Sequence, residues 1–147
     1  MVAISLTATK PTIMNNIAID TNILLYSISK NENRKLPIAA NLIDENPIIF
    51  PQNLSEFINV LLNRWKYPKE NMGLIVSEVL NSCQLINTSV SAYKQSFELV
   101  KRYDFQVFDA IIVASALNAG CRILFSEDMQ DNLVVEKQLT IINPFLG

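Results

Sequence analysis

Short apolar runs that stop at an acid, a proline or a polar loop alternate along this chain with longer helical patterns. That alternation leaves few folds open. Ile17-Ala18-Ile19, Pro47 to Phe50, Leu85-Ile86, Arg122 to Phe125 and Leu139 to Ile142 read as five strands. They are too short and too apolar to show an inside–outside alternation, as expected of strands covered on both faces. Between them, Thr21 to Ser29 reads as a helix, and Pro37 suits the first turn of another running to about Asp44. Leu54, Ile58, Leu61 and Trp65 recur on one helical face, and Tyr67-Pro68 breaks that helix. A further helix spans about Lys69 to Ser82. Ser89 is placed to cap the next, with Val90, Phe97 and Val100 turned inward. Val107 to Asn118 is almost wholly apolar, and Gly120 stops it. The pattern predicts one three-layer α/β/α domain around a mainly parallel sheet of roughly five strands.

The chain has 147 residues, enough for one domain with a real core. Residues 14–147 form that domain. Residues 1–13, Thr-rich and without the charged start and apolar middle of a secretory signal, read as an N-terminal extension and are expected to be poorly ordered. No apolar run approaches the roughly 18 residues of a membrane span. Apolar residues make up 50% and charged residues only 18%, which points to spare apolar surface for self-association or a partner.

Histidine is absent, and this excludes His-assisted serine or cysteine catalysis and every His-containing zinc site. Cys83 and Cys121 are far apart in sequence and form no C-x-x-C pair. Two free buried thiols in a reducing cytoplasm are the simpler reading, although one disulfide is open. The net charge of −2 neither supports nor opposes nucleic-acid binding, because setting aside four pocket carboxylates turns −2 into +2.

In parallel sheets ligands sit at the carboxyl ends of the strands, which directs attention to Asp20, to Pro51 through Glu56 and to Ser126 through Asp131. Asp20 follows the first strand, where an ordinary helix cap and a functional acid are equally good readings. Asp109 shares a helical face with Ile112, Val113 and Ala116. An acid there loses solvation, with helix-dipole stabilisation as the structural alternative and no basic residue nearby in sequence. Glu56 lies opposite the apolar stripe of its helix, and Asn53 with Glu56 resembles a capping box, so spacing alone makes it a solvated residue. Asp128 and Asp131 occupy a polar loop after the fourth strand. Carboxylates converging without histidine or cysteine describe a hard-cation site, suited to Mg²⁺ or Mn²⁺ and to phosphodiester hydrolysis.

Ile19-Asp20-Thr21-Asn22, Ser55-Glu56-Phe57, Phe108-Asp109-Ala110-Ile111-Ile112-Val113-Ala114 and Ser126-Glu127-Asp128 resemble, in order, the acidic motifs of the PIN-domain ribonucleases, most closely the VapC-like toxins of bacterial toxin–antitoxin pairs. The resemblance runs from Asn16 to about Phe145. It implies a PIN-like fold and a metal-dependent endoribonuclease in which Asp20, Glu56, Asp109 and Asp128 hold Mg²⁺ or Mn²⁺ and an activated water cuts RNA, leaving 5′-phosphate ends. Thr21, Asn22 and Ser126 match polar positions that support the acids. Asp131 also matches a position often acidic in the family. A homodimer, a cognate antitoxin protein and a cytoplasmic setting follow from the same resemblance. Arg64, Lys66, Lys69, Lys94, Lys101 and Arg102 are candidate RNA contacts that, one by one, read as ordinary helix surface.

Two other readings stand beside it. A phosphoacceptor receiver domain also groups acids at strand ends, but Asp20 has no acidic neighbour and no lysine follows the strand ending at Phe125. A catalytically silent PIN-like module that only binds protein or RNA is the alternative function.

Overall fold

The computed structural model describes residues 16–147, so the expected extension over residues 1–13 lies outside the described residues. The elements follow in the order β1 (Ile17–Ile19), α1 (Thr21–Ile28), α2 (Lys35–Ile43), β2 (Ile48–Ile49), α3 (Pro51–Asn63), α4 (Met72–Ser82), β3 (Gln84–Leu85), α5 (Val90–Tyr103), α6 (Val107–Asn118), β4 (Ile123–Phe125), β5 (Val134–Val135) and β6 (Leu139–Ile142). The sheet order is β3-β2-β1-β4-β6-β5. All pairs are parallel except β5 with β6. The sheet thus has six strands. Val134-Val135 is the one the pattern misses, because two residues at a sheet edge carry no periodicity to read.

Strand side chains alternate between two cores, as the pleat requires. Ala18, Ile48, Leu124 and Ile141 pack with α5 and α6, whereas Ile19 and Ile49 pack with α1, α2 and α3. The middle layer is therefore buried on both sides. Helix α6 is buried continuously from Ala110 to Leu117, which accounts for its nearly uniform apolarity.

Two expectations about helix faces are corrected. Val90 and Phe97 do not point inward: they are 72% and 55% exposed, and α5 buries Ala92, Ser96 and Leu99 instead. The packing of α5 on α6 places the small residues Ala92 and Ser96 at the seam beside Leu99, and leaves Val90 and Phe97 outside. In α3 the deepest positions are Asn53, Phe57 and Leu61, while Leu54 packs only partly against the core, as does Trp65 just beyond the helix end. The true face is rotated toward Asn53, a polar residue that an apolar-periodicity argument discounts.

The turn after α6 is set by backbone geometry. Gly120 has φ 78°, and the N–H groups of Gly120 and Cys121 donate to the carbonyls of Leu117 and Ala116 at 3.1 and 2.9 Å. This is the left-handed ending that glycine makes easily. It turns α6 back into β4, so the N-terminal end of α6 stands over the carboxyl ends of the strands. Cys83 and Cys121 are free and buried, as expected.

A Cβ at Gly120 would meet no atom within 4 Å, so Gly120→Ala carries only the backbone cost. It should destabilise the fold by about 1 kcal/mol in denaturant titration. Gly73→Ala, in the first turn of α4 with equally open space, should instead stabilise it by roughly 0.5 kcal/mol.

Candidate active site

Strand β1 lies between β2 and β4, and the chain reaches β2 and β4 by crossovers on opposite sides. This is the switch point at which an open parallel sheet leaves a crevice beyond its carboxyl ends. The register Ile19↔Phe125 puts Asp20 beside Ser126 there, and the Asp20 N–H donates to the Phe125 carbonyl at 2.9 Å.

Asp20 is both a helix cap and a member of the cluster. Its Oδ1 accepts from the Thr21 N–H at 2.8 Å, and its Oδ2 accepts from the Ser126 hydroxyl at 2.8 Å. Only 6% of it is exposed. Burial pushes its pKa up to about 6, against the two hydrogen bonds that favour the ionised form; repulsion from Asp109 and Asp128 adds to the rise.

The other three acids approach from different elements. Glu56, exposed on α3, accepts from the Thr21 hydroxyl at 2.9 Å. Asp128 accepts from Asn22 Nδ2 at 3.0 Å, and its own N–H donates to Ser126 Oγ at 3.2 Å. Asp109 sits half-buried in the first turn of α6. Burial, then Asp128, then Glu56 raise its pKa. Among the described residues no hydrogen-bond donor and no cation is bonded to the Asp109 carboxylate. The four sequence-predicted acids are thus brought to one end of the sheet, close enough for their charges to interact.

Asp131 is not among them. Its oxygens accept from the Asn143 N–H at 2.7 Å and from Asn132 Nδ2 at 3.0 Å, which ties the loop to the end of β6. Glu127 is also set apart from them. Lys35 and the Tyr26 hydroxyl both bond to it, and although burial works to raise its pKa, those bonds prevail and hold it low. An acid with its own cation is already satisfied. The remaining acids are not.

The capping box that the spacing of Asn53 and Glu56 suggests does not form. Phe50 is the cap residue of α3 and Pro51 begins the helix. Asn53 Oδ1 accepts from the Phe50 N–H at 2.8 Å, and its Nδ2 donates to Thr21 Oγ1 at 3.3 Å. This fully buried amide orients the hydroxyl that holds Glu56. The Asn53–Thr21 bond and the Tyr26–Lys35–Glu127 group carry no local sequence signal, because each joins residues distant in the chain.

Residues 17–133 match the family model described as PIN domain. The chain belongs to the PIN domain family. Among solved structures it is similar to the Mycobacterium tuberculosis toxin VapC20, described as a sarcin-ricin loop cleaving toxin. The TM-score is 0.61 at 18% identity, covering 76% of this chain and 91% of that one. At that identity the likeness is one of fold. No curated protein matches the sequence. The PIN fold expected from the acidic motifs is the one observed.

The donor set of this PIN site suits a hard cation: oxygen ligands only, mutually repelling, with no basic side chain among them. As the side chains stand, no three Asp, Glu or Cys residues among those described gather at metal-ligand spacing. One or two carboxylates with water suffice for a small divalent ion.

Because folding raises the Asp20 pKa from 3.8 to about 6, the folded state holds that proton more tightly than the unfolded chain. This residue's contribution to stability therefore falls as pH rises through 3.8 to about 6, and the loss is complete above that window. Asp20→Asn keeps an acceptor for the Thr21 N–H and removes the charge. Its unfolding free energy should exceed the native protein's by up to about 3 kcal/mol at pH 7, with the difference closing by about pH 4.

Proposed function

We propose that this protein is a metal-dependent endoribonuclease of the VapC-like toxin class. The observation that carries the reading is Asp109. It is a half-buried carboxylate facing Asp128 and Glu56 with no donor or cation bonded to it, in a chain that neutralises neighbouring Glu127 with Lys35. A buried acid left unpaired is expensive unless something else neutralises it, and a divalent cation does so directly. Membership of the PIN family and the fold shared with an RNA-cleaving toxin point the same way.

In this reading Asp20, Glu56, Asp109 and Asp128 hold Mg²⁺ or Mn²⁺. Such an ion, when bound, supplies Lewis acidity toward a phosphate oxygen and makes water a better nucleophile at neutral pH. The chain's own groups do the positioning. Ser126 and the Thr21 N–H hold Asp20, Thr21 and Asn53 hold Glu56, and Asn22 and the Ser126 hydroxyl hold the Asp128 turn. The raised pKa of Asp20 is what a cation would lower again, so metal affinity should weaken as pH falls through about 6.

No helix among the described residues is long and apolar enough to cross a membrane. A cytoplasmic setting, where RNA is available, belongs to the proposal. So do an antitoxin partner and a homodimer, toward which the exposed Val90, Tyr93 and Phe97 on one face of α5 are suggestive.

Purified protein with Mn²⁺ or Mg²⁺ should cleave total cellular RNA and leave 5′-phosphates. Chelator should stop it, and Asp109→Asn should lower the rate by at least about a hundredfold with the fold intact. Metal binding without cleavage of any RNA would favour the silent binding module. Full activity of Asp109→Asn would remove Asp109 from the site.

A further inference from the structure

Of the four acids, Asp128 alone has no helix or strand adjoining it. Asp20 joins β1 directly to α1, Glu56 stands on α3 and Asp109 on α6, whereas Asp128 lies in the irregular segment between β4 and β5. A group that meets a cation must be held to within about 0.5 Å, and a loop backbone does not do this by itself. The loop also borders a cavity of about 860 Å³, which it shares with Lys30, Arg64, Trp65 and Tyr67, so packing holds it only in part. Its placement depends on what its side chains grip.

The grip next to Asp128 is an ion pair. Lys35, the first residue of α2, and the hydroxyl of Tyr26, on α1, donate to the Glu127 carboxylate, one to each oxygen. The Lys35 ammonium lies 4.5 Å from the centre of the Tyr26 ring and 5.5 Å from that of Phe145, and the two rings meet edge to face at 5.1 Å. Phe145 is buried in the core on that side of the sheet, so the group rests on a fixed base. Beyond Asp128, Asp131 accepts from the Asn143 N–H at 2.7 Å. Asn22 spans the middle: it accepts from the Glu127 N–H at 3.4 Å and donates to Asp128 at 3.0 Å. The amide that meets Asp128 thus also meets the backbone that Lys35 and Tyr26 hold.

Stability alone does not account for this pair. With side chains 21% and 23% exposed, it is the most buried of the three ion pairs among the described residues. Ions so placed lose in desolvation much of what their attraction supplies, and apolar residues of similar size would stabilise the fold as well. What two directed donors fix, and apolar contact does not, is the orientation of one carboxylate and of the backbone that carries it. Here that backbone is one residue from Asp128.

We propose that Lys35 and Tyr26, acting through Glu127, are positioning residues that hold Asp128 where its carboxylate can share a divalent cation with the other acids. This rests on the reading of the acids as the metal centre of a nuclease.

Mn²⁺ alone, titrated into the full-length protein by calorimetry, tests it without any RNA. Lys35→Met combined with Glu127→Gln removes both charges at once, keeps an apolar stem against the rings and leaves an acceptor for Tyr26, so no charge is stranded. This double variant should unfold at a temperature near the native protein's and bind Mn²⁺ about tenfold more weakly. Lys35→Arg, which still donates to Glu127, should retain native affinity. Tyr26→Phe removes one donor, keeps the ring and should weaken binding in the same way but less. Glu136→Gln alters an acid with similar partners, Arg102 and Tyr103, in the turn before β6 at the other end of the sheet, and should leave the affinity unchanged. The decisive readout is non-additivity. Asp128→Asn should itself weaken Mn²⁺ binding, and adding the double change, or Tyr26→Phe, should weaken it no further. Losses that add, native affinity in the double variant, an equal loss in Glu136→Gln, or no Mn²⁺ binding by the native protein would each overturn the proposal. The two readings fail separately. A non-additive loss of Mn²⁺ in a protein that cleaves no RNA keeps the positioning role and removes the nuclease. Metal-dependent cleavage and Mn²⁺ binding that are both indifferent to the double change keep the nuclease and remove the positioning role.

Discussion

A carboxylate buried where the sheet reverses its winding sets the terms for the groups around it. Asp20 leaves β1 between two parallel neighbours, where the crossovers diverge to opposite sides of the strand. Two donors hold it, the Thr21 N–H and the Ser126 hydroxyl, yet burial still pushes its pKa to about 6. Two hydrogen bonds do not match the solvation that an ionised carboxylate loses in such a place. The PIN fold thus carries, at its switch point, a group whose charge is stabilised best by something the chain itself does not provide.

The surroundings treat neighbouring acids unequally. Glu127 receives Lys35 and Tyr26, so its charge is met within the chain. Among the described residues Asp109, Asp128 and Glu56 receive no cation, and after burial it is Asp128 and then Glu56 that raise the proton affinity of Asp109. Cations are present nearby: Lys30 and Arg64 line the adjoining cavity and form no ion pair among the described residues.

Much of this was legible beforehand, for identifiable reasons. The β1–Asp20–α1 and β4–Ser126 junctions were readable because short apolar runs and the polar residues ending them are local signals. Asp109 was conspicuous because an acid on a buried helical face contradicts the pattern around it. Glu56 was not: it looks solvated in the sequence and is exposed in the fold, and only the family motif singled it out. Asn53 was misread as a cap because its partners, the Phe50 amide and the Thr21 hydroxyl, could not both be inferred from helical spacing. Val90 and Phe97 were turned inward on hydrophobicity alone, whereas close packing of α5 on α6 favours Ala92 and Ser96 at the seam.

By itself the sequence determined the layered α/β class, the mainly parallel sheet and the absence of histidine chemistry, and it singled out Asp20, Glu56, Asp109 and Asp128 as candidate site residues. All of these rest on local periodicity, on residue type or on motif order. Tertiary structure alone decided which acids stay bare, which polar groups orient them, and that Trp65 and Tyr67 border the same cavity as Asp128. Those properties are pairings between segments as much as 106 residues apart, as in Ser126 with Asp20. A carboxylate's solvation and partners depend on what the fold packs beside it, and no spacing within a single element encodes that.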